Sequence, residues 1–123
     1  MLLQRGIVHI DKKELDLNLS LADKVIALDA NFAEAYAIKA LAHLGYYWSG
    51  SDHTYARLAQ AREMVDKAVT LAPESPMAHT AKGYLHYWGL GEFDAAIKEF
   101  ETAQSMEPGS SQHLEDIAWV QLC

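Results

Sequence analysis

Gly91-Glu92-Phe93-Asp94-Ala95-Ala96-Ile97, followed by Phe100, Ala103 and Pro108, is the stretch whose reading decides the fold. Its markers recur along the chain. Ala96 has counterparts in Ala61 and Asn18, Ala103 in Ala68 and Val25, and Pro108 in Pro73 and Ala30. A further series of small residues runs Gly6, Ala40, Gly83, Ala118. The last step in every series is 35 residues, the step before it is 43, and Gly6 to Ala40 is 34. Steps shared by four independent markers mean tandem units of one architecture. A period near 34 residues is that of stacked helix pairs. The middle unit is longer by nine residues, and its excess falls in Gly45-Tyr46-Tyr47-Trp48-Ser49-Gly50-Ser51-Asp52-His53-Thr54.

The local signals agree with helices. Leu2, Leu3, Gly6, Ile7 and Ile10 form an i, i+4 stripe over 2–10. A return helix is predicted over 14–28. There Leu15, Leu17, Leu19 and Leu21 alternate with polar residues as a strand would, but Val25, Ile26 and Leu28 extend a helical stripe. Asn31 is positioned to cap a helix over 32–47, with Glu34 three residues on. Asp52 or Thr54 caps the next helix, which reaches Leu71. Ala72-Pro73-Glu74-Ser75-Pro76 stops it; Pro76 opens a helix over 76–88 and adds one residue to its unit. Gly89-Leu90-Gly91 reads as a turn, 92–106 as a return helix and 110–122 as a last, unpaired helix. The units are then about 1–31, 32–75 and 76–109, with a C-terminal helix over 110–123, all one domain.

Small residues have a clear physical role in such a pattern. Where two helices cross closest, a side chain larger than Gly or Ala would hold them apart. Gly6, Ala40, Gly83 and Ala118 are placed for that approach, answered by Ala61 and Ala96 from the return helices, with Val65 and Phe100 supplying bulk. These residues resemble the tetratricopeptide repeat. Asn31-Phe32-Ala33-Glu34-Ala35-Tyr36 is similar to the usual entry of its first helix, and the 91–108 stretch to its second. Asn18 and Ala30 depart from the family's Ala and Pro, and the middle turn is too long. The resemblance implies an all-α, right-handed superhelical solenoid of antiparallel helix pairs, with about three repeats plus an extra C-terminal helix. Asn31 to Ala37, Ala78-His79, Gly83-Tyr84 and Tyr87-Trp88 also resemble repeat segments of larger bacterial signalling proteins.

Composition narrows the function classes. Half of the 123 residues are hydrophobic, enough for a core, and net charge is −7. Glu92, Asp94, Glu99, Glu101, Glu107, Glu115 and Asp116 face only Lys98 in the last third. Nucleic acid needs a basic footprint, so it is excluded as a partner. The acids read as a solvated face or as a surface for basic partners. Cys123 alone makes neither a disulfide nor a structural zinc site. With no apolar run of membrane-spanning length and no signal-peptide pattern, the expectation is a cytoplasmic protein with no membrane partner. His9, His43 and His86 occupy equivalent places in three units, but stacked helices hold such residues about 10 Å apart. Metal ligands must meet at about 2 Å from one ion, so no metal site is expected. No nucleophile constellation or phosphate loop stands out. The expectation is a non-enzyme without cofactors.

First helices line the concave face in the family the chain resembles. That implies a groove formed by Glu34, Ala37, Ile38, Leu41, Met77, Thr80, Ala81 and Tyr84, joined by the aromatic residues Tyr46, Tyr47, Trp48, Tyr87 and Trp88. Some of these proteins hold a C-terminal carboxylate with a Lys/Asn clamp; here the groove positions are apolar or acidic, so that clamp is not supported. The expected function is a protein–protein interaction scaffold that docks a peptide or helical segment. The alternative is a regulatory segment sensing a small molecule for a larger signalling protein, which calls for a pocket beneath Tyr46, Tyr47 and Trp48. The last helix carries Leu114, Ile117, Ala118 and Leu122 on one stripe, widened by Trp119 and Val120. An apolar terminal face predicts an excerpt of a longer array and self-association through Leu114 and Trp119.

Overall fold

The computed structural model describes residues 11–109 and 111–122, apart from the side chains of residues 111, 113, 119 and 122. Six helices follow one another: α1 Lys12–Leu28, α2 Ala33–Ser49, α3 Tyr55–Leu71, α4 Pro76–Tyr84, α5 Phe93–Met106 and α6 Ser111–Leu122. A π-helical segment, Leu85–Leu90, prolongs α4. Every regular element among the described residues is helical. The predicted helix over 2–10, with Gly6 and His9, lies outside them.

The alternating leucines of α1 resolve into a helical pattern. Leu15 and Ala22 are buried against α2, while Leu17 and Leu21 are 55% and 50% exposed on the outer face. Each helix packs on its sequence neighbour, α1 on α2, α2 on α3, α4 on α5 and α5 on α6. In addition α2 packs on α4 and on the π segment. The largest core lies between α2, α3 and α4 and includes Tyr36, Leu44, Leu58, Val65 and Leu85. Tyr87, Phe100 and Val120 build a second beside α5, and Leu15, Ala42 and Tyr46 a third under α1.

The small-residue markers sit at the crossings. Ala40, Ala61, Ala68, Ala96 and Ala103 are wholly buried. At Gly83 the approach is closest: a Cβ there would lie 2.7 Å from Phe100 Cδ1. Leucine at Ala96 would overfill its crossing and should cost about 1–3 kcal/mol. A thermal melt of Ala96→Leu indistinguishable from the parent would contradict this packing. Ala118 departs from the series and is exposed. The inward face of α6 instead carries Asp116, Ile117 and Val120, with Leu114 56% exposed.

Several boundaries shift for local reasons. Asn31 does not cap α2: Phe32 occupies the N-cap without a side-chain bond. The Asn31 amide instead donates to Asp29 Oδ1 at 3.0 Å. Thr54 caps α3, accepting from the Arg57 amide at 3.1 Å, and Asp52 accepts from the Thr54 hydroxyl at 2.7 Å. Ser75 caps α4, with Pro76 at its opening. Half of the lengthened stretch, 45–49, is helix, because nothing before Gly50 breaks α2. Gly50 stops it with φ 85°, a left-handed conformation that glycine adopts without strain. Gly89-Leu90 is likewise helical, in the π segment, and the chain turns only at Gly91. Pro76 adds no residue, since Pro73 to Gly83 and Ala30 to Ala40 both span ten. The extra one falls between Gly83 and Ala96, thirteen apart where Gly6 and Asn18 are twelve. A π turn closes i→i+5 bonds and so accommodates one residue more.

Candidate functional site

Side-by-side packing of α2 and α4 leaves a furrow between their outward faces. Helical spacing brings Glu34, Ile38 and Leu41 to it from α2, and Met77, Thr80 and Tyr84 from α4, with Trp88 from the π segment. The furrow opens into two clefts that share Leu41 and Tyr84. One, about 410 Å³, is closed at its far side by Ser75, Pro76, Glu107, Gln112 and Asp116. The other, about 290 Å³, is bounded by Leu15 and Asn18 of α1 and by Ala42 and Gly45 of α2. Among the described residues, none that lines it is charged.

Aromatic contacts hold the furrow's wall in place. Tyr84 packs its ring on Trp88 with centroids 4.5 Å apart and meets the Phe100 ring edge-to-face, with centroids 5.0 Å apart. Trp88 stacks on Trp48 at 5.9 Å, which ties the end of α2 to the π segment. Trp48 stays 40% exposed, so the stack extends the apolar surface.

Asp116 sets the chemistry of the larger cleft. Only 1% exposed, it accepts hydrogen bonds from the Tyr84 hydroxyl and, at 3.2 Å, from Gln112 Nε2. Burial and the neighbouring Asp116 carboxylate push the Tyr84 phenol far above its ordinary range, so it remains a donor. Asp116 was counted with the solvated acids in the sequence. No local spacing signals its burial, since Gln112, one turn earlier on the same helix, is exposed.

No family model matches the chain, and no curated protein matches it.

Of the residues expected in the groove, Glu34, Ile38, Leu41, Met77, Thr80, Tyr84 and Trp88 line the two clefts. Ala37 and Ala81 do not; both are wholly buried at the α2–α4 packing face. Tyr46 and Tyr87 are also buried, at 4% each. The continuation of α2 turns Tyr46 onto the side of Ala42 and Leu15, where the Arg57 guanidinium covers its ring at 4.2 Å. Tyr87 faces Phe93 edge-on at 5.7 Å. Tyr47 is half-buried and stacks on His53 at 4.0 Å. Leu114 is exposed, and the side chain of Trp119 lies outside the described residues.

The polar network behind the groove is a fastening between α2 and α3. Arg57 Nη1 donates to His43 Nδ1 at 2.8 Å, and Arg57 Nε pairs with Asp52 at 3.0 Å. Burial, and then the charges of Arg57 and Lys39, lower the His43 pKa to about 4. Bonds from Thr54 and Arg57 hold the Asp52 carboxyl below its ordinary range. Neither cleft is lined by any of these three. His86, at the matching place on the π segment, has Nδ1 2.8 Å from Glu92. Among the described residues, no three His, Cys, Asp or Glu side chains gather as metal ligands. No described helix is long and apolar enough to cross a membrane.

Proposed function

We propose that this chain is a protein-interaction module whose groove between α2 and α4 docks an extended or helical segment of a partner. In this reading it is a tetratricopeptide-like solenoid that works by presenting a surface, with no catalytic residue and no cofactor. Support comes from the pairwise packing of successive helices, from α2 lying against α4, and from small residues at the crossings. The acidic composition and single cysteine suit a reducing, cytoplasmic setting. The observation that carries the reading is the continuity of the two clefts through Leu41 and Tyr84. A continuous furrow suits a peptide better than a compact small molecule. The small-molecule alternative calls for a pocket under Tyr46, Tyr47 and Trp48, and none of these lines either cleft.

Charge placed in the furrow is the test. Leu41→Lys and Met77→Lys put an ammonium group on apolar lining and should each weaken peptide binding at least about tenfold, through lost contact and desolvation. Glu63→Gln, on the opposite depression lined by Tyr55, Arg62 and Asp66, should leave affinity unchanged. The reverse pattern would move the binding surface to α3.

A further inference from the structure

The two compartments of the groove differ in charge, and that difference specifies the occupant. Resting on the docking reading above, we propose that the partner segment inserts a lysine or arginine side chain into the larger cleft and an apolar side chain into the smaller one. The charged groups lining the larger cleft are Glu34, Glu107 and Asp116, and no lysine or arginine among the described residues lines it. Its remaining walls include Leu41, Pro76, Met77 and the Tyr84 ring. That combination matches a long basic side chain, whose methylene stem runs along apolar surface while its head meets carboxylates. Asp116 sits deepest, and its bonds from Tyr84 and Gln112 fix its orientation before any partner arrives. Low polarity around a buried carboxylate strengthens its pull on a cation.

The smaller cleft adds the second requirement. Leu15, Ile38, Leu41, Ala42, Tyr84 and Trp88 offer an uncharged surface one residue pair away. An apolar anchor and a basic residue a few positions apart would fill both clefts. A net charge of −7 favours approach of such a segment and disfavours acidic ones.

Synthetic, acetylated and amidated peptides test this directly. Each carries one leucine and one arginine separated by one to four residues on a neutral background, beside a twin with citrulline in place of arginine. Titration calorimetry with the full chain should find an arginine peptide bound about tenfold tighter than its twin. The gap should narrow at high salt. Glu34→Gln and Asp116→Asn should each close most of it; Glu34 lies at the partly exposed mouth, so its variant reads the charge without disturbing the core. Twins of equal affinity would overturn the basic side chain while leaving a groove that docks peptides. Binding of neither set would overturn both proposals. Agmatine bound as tightly as the best peptide would overturn this one in favour of a small cation.

Discussion

Phe100→Ala should cost about 3–5 kcal/mol of stability, the range for removing a fully buried aromatic ring. Phe100 has no exposed surface, and three different features converge on it. Gly83 leaves the space that its ring fills, since a Cβ there would collide with it. Tyr84 meets it edge-to-face at 5.0 Å. Ala96 and Val120 complete the second core with it. Tight helix packing limits how far these neighbours can collapse into the void. Urea unfolding gives the value, and a loss below about 1 kcal/mol would show that the ring is not clamped between α4 and α5. A functional consequence follows, because Tyr84 is, with Leu41, common to both clefts. Phe100→Leu, which keeps most of the bulk, should recover much of the stability.

Acid should also weaken the fold, through His43. The unfolded chain takes up a proton on this residue near its ordinary pKa of 6.5, the folded chain only near 4. Between those values the unfolded state holds more protons, so stability falls as pH falls. The contribution is fully present above pH 6.5 and is lost down to about pH 4. Its full size is on the order of 3 kcal/mol, from about 1.4 kcal/mol per unit. The main cause is burial, and Arg57 adds to it: a protonated His43 would be a desolvated cation 2.8 Å from the guanidinium. His43→Gln removes the titration and retains an acceptor for Arg57. Unfolding free energies measured from pH 7 to pH 4.5 should fall less steeply for this variant than for the parent. Equal slopes would remove His43 as the cause.

Much of the packing was legible in the sequence, and for a definite reason. A close crossing tolerates only small side chains, so Ala40, Ala61, Gly83 and Ala96 signalled their positions by identity and spacing alone. Helix ends were less legible. Tyr46-Tyr47-Trp48 beside two glycines suggested a turn, yet one glycine inside a helix is tolerated where a neighbour needs the room. Gly45 is such a case, since a Cβ there would lie 2.7 Å from Leu15 Cδ2. Tyr46, within the predicted helix, is core and not groove because it shares a face with Ala42, four residues earlier, and packs there with Leu15. Similarly, the extra residue of the third unit belongs to the π segment and not to Pro76, as the thirteen-residue step from Gly83 to Ala96 reports.

About half of the candidate site was implied by the resemblance to the repeat family, and helical periodicity agrees with it, since Ile38 and Leu41, or Thr80 and Tyr84, share a face. Asp116 did not, because a lone acid in an acidic region looks solvated. Its burial depends on Tyr84, 32 residues earlier, and no local pattern reports that.

The most direct measurement is methyl and indole NMR of the labelled chain, titrated with the leucine–arginine peptide that binds best. Docking in the groove requires the Ile38, Leu41 and Met77 methyls and the Trp88 indole to shift together and saturably. Val65 and Ala68, buried between α2 and α3, should stay still. Saturable shifts confined to Leu58 and Leu90, on the α3 side, would contradict a binding groove between α2 and α4.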